Sequence, residues 1–195
     1  MPGILRLAAA FAALFLLGAQ PADDGSWPAG GFSFSDELGG FRILDVSGRG
    51  TRAEPIVLTQ ELYSASAVVM VVRIPDRSAA LSTRTRTGMT LYLQLNTLNA
   101  SGLPWVEFAF ELQAQLGIPS TFGDGLSFDQ VAREPTTIAS DRFDLYTRDF
   151  EPSDRLLFRQ GHVDPRQEAV FSFLITDLTP TYQFHLVQDP RIPSS

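Results

Sequence analysis

The chain has 195 residues, a formal net charge of −7 and no cysteine. A net negative protein lacks the cationic field by which nucleic acid or an anionic membrane surface is held. Without Cys there are no disulfides, thiol nucleophiles or thiolate metal sites, so stability must come from a packed core and a hydrogen-bonded sheet. Lysine is absent as well, and a codon bias toward Arg accounts for that more simply than a function does.

The first residues carry a compartment signal. Arg6 supplies a positive charge, Leu7–Leu17 is an apolar run, and the small and then acidic residues "GAQPADD" follow. This is the order of a secretory signal peptide, and the apolar run is about half of the roughly 20 residues that a spanning helix needs. Residues 1–22 are therefore expected to be a cleaved signal, with cleavage after Ala19 or Ala22. Residues 23–31 read as a flexible leader, 32–190 as a single domain and 191–195 as a tail. The expected location is periplasmic or extracellular. No later segment is apolar for long enough to span a bilayer.

From Phe32 onward, short strand-like runs alternate with turn residues. "GFSFS" puts Phe32 and Phe34 on one face, and "FRILDVS" lies between glycines. The continuous apolar run Val68–Val72 suggests a central strand covered on both faces. Met89–Asn99 alternates, with Leu91, Leu93 and Leu95 opposite Tyr92, Gln94 and Asn96. Trp105–Gln113 alternates too. Val106, Phe108, Phe110 and Leu112 face one way, and Trp105, Glu107, Ala109, Glu111 and Gln113 the other; a helix over Val106–Leu116 is the competing reading. "DRFDLYTRD", "RLLFRQ", "EAVFSFLITD" and "TYQFHLVQD" complete the set. Period-2 alternation without long period-3.6 segments predicts an all-β, two-layer antiparallel β-sandwich of about eight to ten strands, jelly-roll or immunoglobulin-like.

Several residues invite a chemical reading. Arg84 and Arg86 in "STRTRTG" could hold a small anion, but charges on an exposed edge also discourage edge-to-edge pairing. His162 and His185 lack the further ligands of a zinc site, and no GxSxG elbow is present. Glu107 and Glu111 resemble a glycosidase pair. Four residues along one strand is about 13 Å, beyond the roughly 5–9.5 Å of catalytic carboxylates, so each would need a partner from another strand; pairing with Arg on neighbouring strands is the plainer account. Trp105 with Tyr92 could stack on a sugar, although Trp is more often core. "TFGDGLSFDQ" offers Asp124 and Asp129 to calcium, but Gly123 and Gly125 suit a tight turn better. "RDFEPSD" (Arg148–Asp154) reads as a solvated acidic turn.

"FSFSDELGGFRIL", "SGRGTRAEPIVLTQEL", "GDGLSFDQ" and "FSFLITDLTP" together resemble a group of secreted, uncharacterised proteins of alphaproteobacteria. "LNASGLPWVEFAFELQ" is similar to a strand of broader families of exported bacterial β-sandwich proteins. The resemblance spans roughly Phe32 to Pro190 and implies export and a β-sandwich. It carries no catalytic residue. The reading is thus a non-catalytic exported protein whose partner is an envelope component, a glycan or another protein. No residue is assigned as catalytic, cofactor-binding or metal-binding. The alternatives are a secreted glycan hydrolase with carboxylates from different strands, or a calcium-dependent carbohydrate-binding module.

Overall fold

The computed structural model describes residues 20–74, 88–129, 137–149 and 152–193. Among them lie thirteen strands and a single 3-10 turn, with no α-helix. The strands are β1 (Trp27–Ala29), β2 (Phe32–Ser35), β3 (Phe41–Ser47), β4 (Ile56–Leu62), β5 (Val68–Arg73), β6 (Met89–Asn99) and β7 (Glu107–Gln113). They continue as β8 (Leu126–Phe128), β9 (Ala139–Ser140), β10 (Phe143–Asp149), β11 (Arg155–Gly161), β12 (Glu168–Asp177) and β13 (Gln183–Arg191). The helical alternative for Val106–Leu116 is not adopted, because the Phe alternation there fits a pleated, half-buried surface.

Two sheets form the sandwich. One has seven strands in the order β1-β2-β5-β13-β7-β11-β10; the other has the order β3-β4-β6-β12-β8, with β9 also paired to β12. One pair departs from the antiparallel expectation, since β4 runs parallel to β6, with Leu58 opposite Leu95. Between them the chain crosses to the seven-stranded sheet as β5 and returns, so β6 comes back in the direction of β4. A crossover of this kind is what a parallel neighbour requires.

The alternating residues become the core. Leu91, Leu93 and Leu95 of β6 and Phe171, Phe173 and Ile175 of β12 are buried against Phe108, Phe110 and Leu112 of β7. Phe171 crosses between the layers, with ring centroids 4.7 Å from Phe108, 5.1 Å from Phe110 and 5.2 Å from Phe158. One polar link runs through the same interior. Gln60 of β4 donates from Nε2 to Gln188 of β13 at 2.6 Å and to Thr97 of β6 at 3.0 Å. Gln188 donates back to the Gln60 carbonyl at 3.2 Å. All three side chains are fully buried.

Two expectations change. The sheet begins inside the expected 23–31 leader, where β1 pairs antiparallel to β2, Trp27 opposite Phe34. Trp27 and Ala29 pack on the core, which the surrounding Pro and Gly concealed. Trp105 also breaks the parity of its strand. It forms an isolated bridge to Val163, regular pairing of β7 begins at Glu107, and Trp105 is fully buried with its ring edge against Phe108 while Val106 is exposed.

Phe171→Ala is expected to cost about 3–5 kcal/mol, because it opens a cavity between both sheets. Gln60→Leu should cost about 1–3 kcal/mol by leaving Gln188 without its amide partner, and Gln60→Leu with Gln188→Leu should recover part of that loss. Urea denaturation of the single and double variants measures both effects.

Candidate functional site

A shallow concavity among the described residues lies on the outer face of the six-stranded sheet. Inward Leu91, Leu93 and Leu95 leave Tyr92, Gln94 and Asn96 of β6 facing out, and β12 places Ser172 directly opposite Gln94. The β3–β4 connection forms one wall. Gly48 turns there with φ of +97°, and a Cβ on it would lie 2.0 Å from the Pro55 carbonyl oxygen, so only glycine lets the two arms approach. The connection is tied down by Arg49 and Thr51 N–H groups donating to the Glu54 carbonyl at 3.1 Å, and by the Tyr92 N–H donating to Gly50 at 3.0 Å. Arg52 and Pro55 thereby reach the cleft. Thr137, just before β9, closes the other side.

The resulting cleft has a volume of about 230 Å³ and is lined by Arg52, Pro55, Tyr92, Leu93, Gln94, Thr137, Ser172 and Phe173. The Gln94 amide is oriented by donation to Asn96 Oδ1 at 3.1 Å. The wall therefore offers an aromatic ring, an amide, two aliphatic hydroxyls and a guanidinium. None of these lining residues is a carboxylate.

The other candidates lie elsewhere. Glu107 and Glu111 sit on the outer face of the opposite sheet, and Glu111 is 3.8 Å from Arg155 of β11. Glu107 faces Arg191 across β13 in register. Trp105 is core, so it forms no sugar platform with Tyr92. His185 is buried with Nδ1 3.3 Å from the Gln113 carbonyl oxygen, and His162 is exposed, 3.9 Å from Asp164. Arg84 and Arg86 lie outside the described residues.

"GDG" is a turn. Phe122–Asp124 is a 3-10 turn in which Asp124 accepts from the Thr121 N–H at 3.2 Å and the Leu126 N–H at 3.0 Å. Gly125 has φ of +88°, and a Cβ there would press on the Thr179 hydroxyl at 2.8 Å; Gly123 does not take the left-handed conformation. Asp129 is buried and accepts from the Thr137 hydroxyl at 2.9 Å. No group of three or more His, Asp or Glu is placed to hold a metal among the described residues.

Asp154 corrects the expectation of a solvated turn over Arg148–Asp154, of which residues 150 and 151 lie outside the described set. Its side chain is fully buried and caps the free edge of β8, accepting from Ser127 Oγ and from the Phe128 N–H at 3.1 Å. Its own backbone N–H donates to the Ser120 carbonyl at 2.9 Å, and its carbonyl accepts from Leu112 at 3.2 Å, so one residue joins β7, β8 and β11. Burial raises its pKa, against the Ser127 and Phe128 hydrogen bonds and the charge of Arg148. Burial likewise raises Asp177, against donation from the Thr179 N–H. Glu37 moves the other way, lowered chiefly by its hydrogen bond from Arg73 at 2.5 Å. The signal that Asp154 is structural was the alternating "RLLF" directly after it, which fixes the start of a core strand.

Comparison with known proteins gives no match: no protein-family model fits the chain, and neither a curated protein nor a solved structure matches it.

Because Asp154 and Asp177 have raised pKa values in the fold, the folded chain holds their protons more readily than the unfolded chain. Their contribution is most favourable below the unfolded carboxylate value of about 3.9 and is lost as pH rises through their folded values. Glu37 opposes this, since its contribution is present above its unfolded value and lost as pH falls through its folded one. Asp154→Asn should keep an acceptor for the Phe128 N–H and flatten the loss of stability on raising the pH from about 4 to 7, whereas Asp154→Leu should cost about 1–3 kcal/mol. Melting temperatures across that range measure the difference.

Proposed function

We propose that the protein is an exported, non-catalytic binding protein of the cell envelope or extracellular space. Its outer-face cleft takes a neutral, hydroxyl-rich unit of a glycan. The observation that carries this reading is the lining. A Tyr ring supplies a surface for the apolar face of a sugar ring, while Gln94, Ser172 and Thr137 supply hydrogen-bond partners for hydroxyls. Export rests on the signal-like order of Arg6, Leu7–Leu17 and the small residues beyond.

The size of the cleft supports the same reading. At about 230 Å³ it is smaller than a typical pocket for a drug-sized ligand, and suits one unit of a longer molecule. Hydrolysis of a glycan by acid–base chemistry needs two carboxylates flanking the bond, and neither is among the described residues that line the cleft. Glu107 and Glu111 lie on the far sheet, where Arg155 and Arg191 are their neighbours.

Titration calorimetry of the purified protein against soluble neutral oligosaccharides tests the proposal. Binding is expected without product release. Tyr92→Ala should weaken it roughly tenfold, equivalent to about 1.4 kcal/mol, and Glu107→Gln with Glu111→Gln should leave it unchanged. Oligosaccharide cleavage, or binding indifferent to Tyr92 and Gln94, would contradict the proposal.

A further inference from the structure

The outer face of the six-stranded sheet is open in one part and covered in another. Beyond Ser172, the next residues of β12 with outward parity are Leu174 and Thr176, and both are fully buried without joining the core cluster. The Arg52–Pro55 wall and Thr137 flank the cleft on its two sides. The direction along β6 from Gln94 toward Asn96 stays open, since Asn96 of β6 and Val170 of β12 are both only half-buried.

That direction leads onto a row of polar side chains. Register places Asn96 of β6 beside Thr59 of β4, and Thr59 beside Asp45 of β3. Each lies on the outer face. Thr59 sits between buried Leu58 and Gln60, Asn96 between buried Leu95 and Thr97, and Asp45 beside buried Val46. Neighbouring strands are about 4.8 Å apart, so the row extends about 10 Å across the sheet, and it lies about 7 Å along β6 from Gln94.

The row is joined to the cleft, because the Gln94 amide donates to Asn96 Oδ1 at 3.1 Å. Asn96 keeps both of its own N–H donors, Thr59 its hydroxyl and Asp45 its acceptor oxygens. No described side chain bonds to these groups. The following row is different, since there Arg42 and Glu61 close on each other at 2.6 Å.

We propose that Asn96, Thr59 and Asp45 form a second subsite, which takes the neighbouring unit of the glycan whose first unit occupies the cleft. This subsite rests on the reading of the cleft given above and adds the length and direction of the ligand. The ligand is an oligomer of at least two neutral units, running from Tyr92 toward β3. The amide and the hydroxyl donate to ring and linkage oxygens, while the Asp45 carboxylate accepts from sugar hydroxyls and repels an anionic unit.

Titration calorimetry against glucose, mannose, galactose and N-acetylglucosamine, each as oligomers of one to four units, tests the second subsite. For the sugar that binds, affinity should rise roughly tenfold or more from one unit to two. Thr59→Val with Asp45→Ala should remove that rise, so that its loss is confined to ligands of two or more units. Tyr92→Ala should weaken binding at every length. Val suits a half-exposed strand position, and far-ultraviolet circular dichroism checks that the double variant is folded. An affinity independent of ligand length in the unmodified protein, or a length dependence that the folded double variant retains, would overturn the second subsite and leave the cleft reading standing. Absence of binding by every oligomer would overturn both.

Discussion

Phe171 reaches from the six-stranded sheet into the rings of Phe108, Phe110 and Phe158 on the seven-stranded sheet, and Phe143 of the same sheet stacks on it at 5.9 Å. Without a disulfide, contacts of this kind must hold the two layers together. Aromatic side chains suit the task because each buries a large area and their offset and edge-on contacts add to that burial. The apolar packing is strong but weakly directional. The Gln60–Gln188 amide pair is directional, since a sideways slip of one sheet would leave two buried amides unpartnered. Packing and the polar link thus act on the same interface, one giving stability and the other register.

The polar groups that close the sandwich follow the same logic. Asp154 is costly to bury, yet it satisfies the edge of a three-residue strand that would otherwise present an unpaired N–H to the interior. Asp124 and Gly125 shape the turn that delivers the chain into β8, and Thr179 fastens that turn to the β12–β13 connection through a 2.8 Å bond to the Asp124 carbonyl. On the outward side of β6 and β12, Tyr92, Gln94 and Ser172 line the cleft, and recognition is proposed to rest on them.

Much of the fold was legible because period-2 alternation survives directly as burial. β6 occupies the Met89–Asn99 run that the alternation marks, and β12 the "EAVFSFLITD" run. Glycine chemistry likewise marked the turn at Gly125. Other features depend on distant partners. β1 is held by β2 rather than by its own propensity, and Trp105 leaves its strand's parity because Val163 pairs with it from beyond β11. The parallel β4–β6 pair follows from where β5 lies, which no local pattern encodes. The cleft combines the β3–β4 connection, β6, β12 and Thr137, and only Tyr92 among its residues stood out along the chain. Asp154 read as exposed because neighbouring acids and Pro152 suggest solvent, whereas its partners come from β8.

Recognition is proposed on the outer face of the six-stranded sheet, whereas the opposite sheet carries charge pairs such as Glu111 with Arg155. Backbone amide shifts followed by NMR during titration with a neutral oligosaccharide test that assignment most directly. The expected result is a contiguous set of perturbed amides over Thr90–Asn96, Ser172 and the Arg52–Pro55 wall. Perturbations centred on Glu107, Glu111 and Arg155, with Tyr92 and Gln94 unmoved, would contradict it.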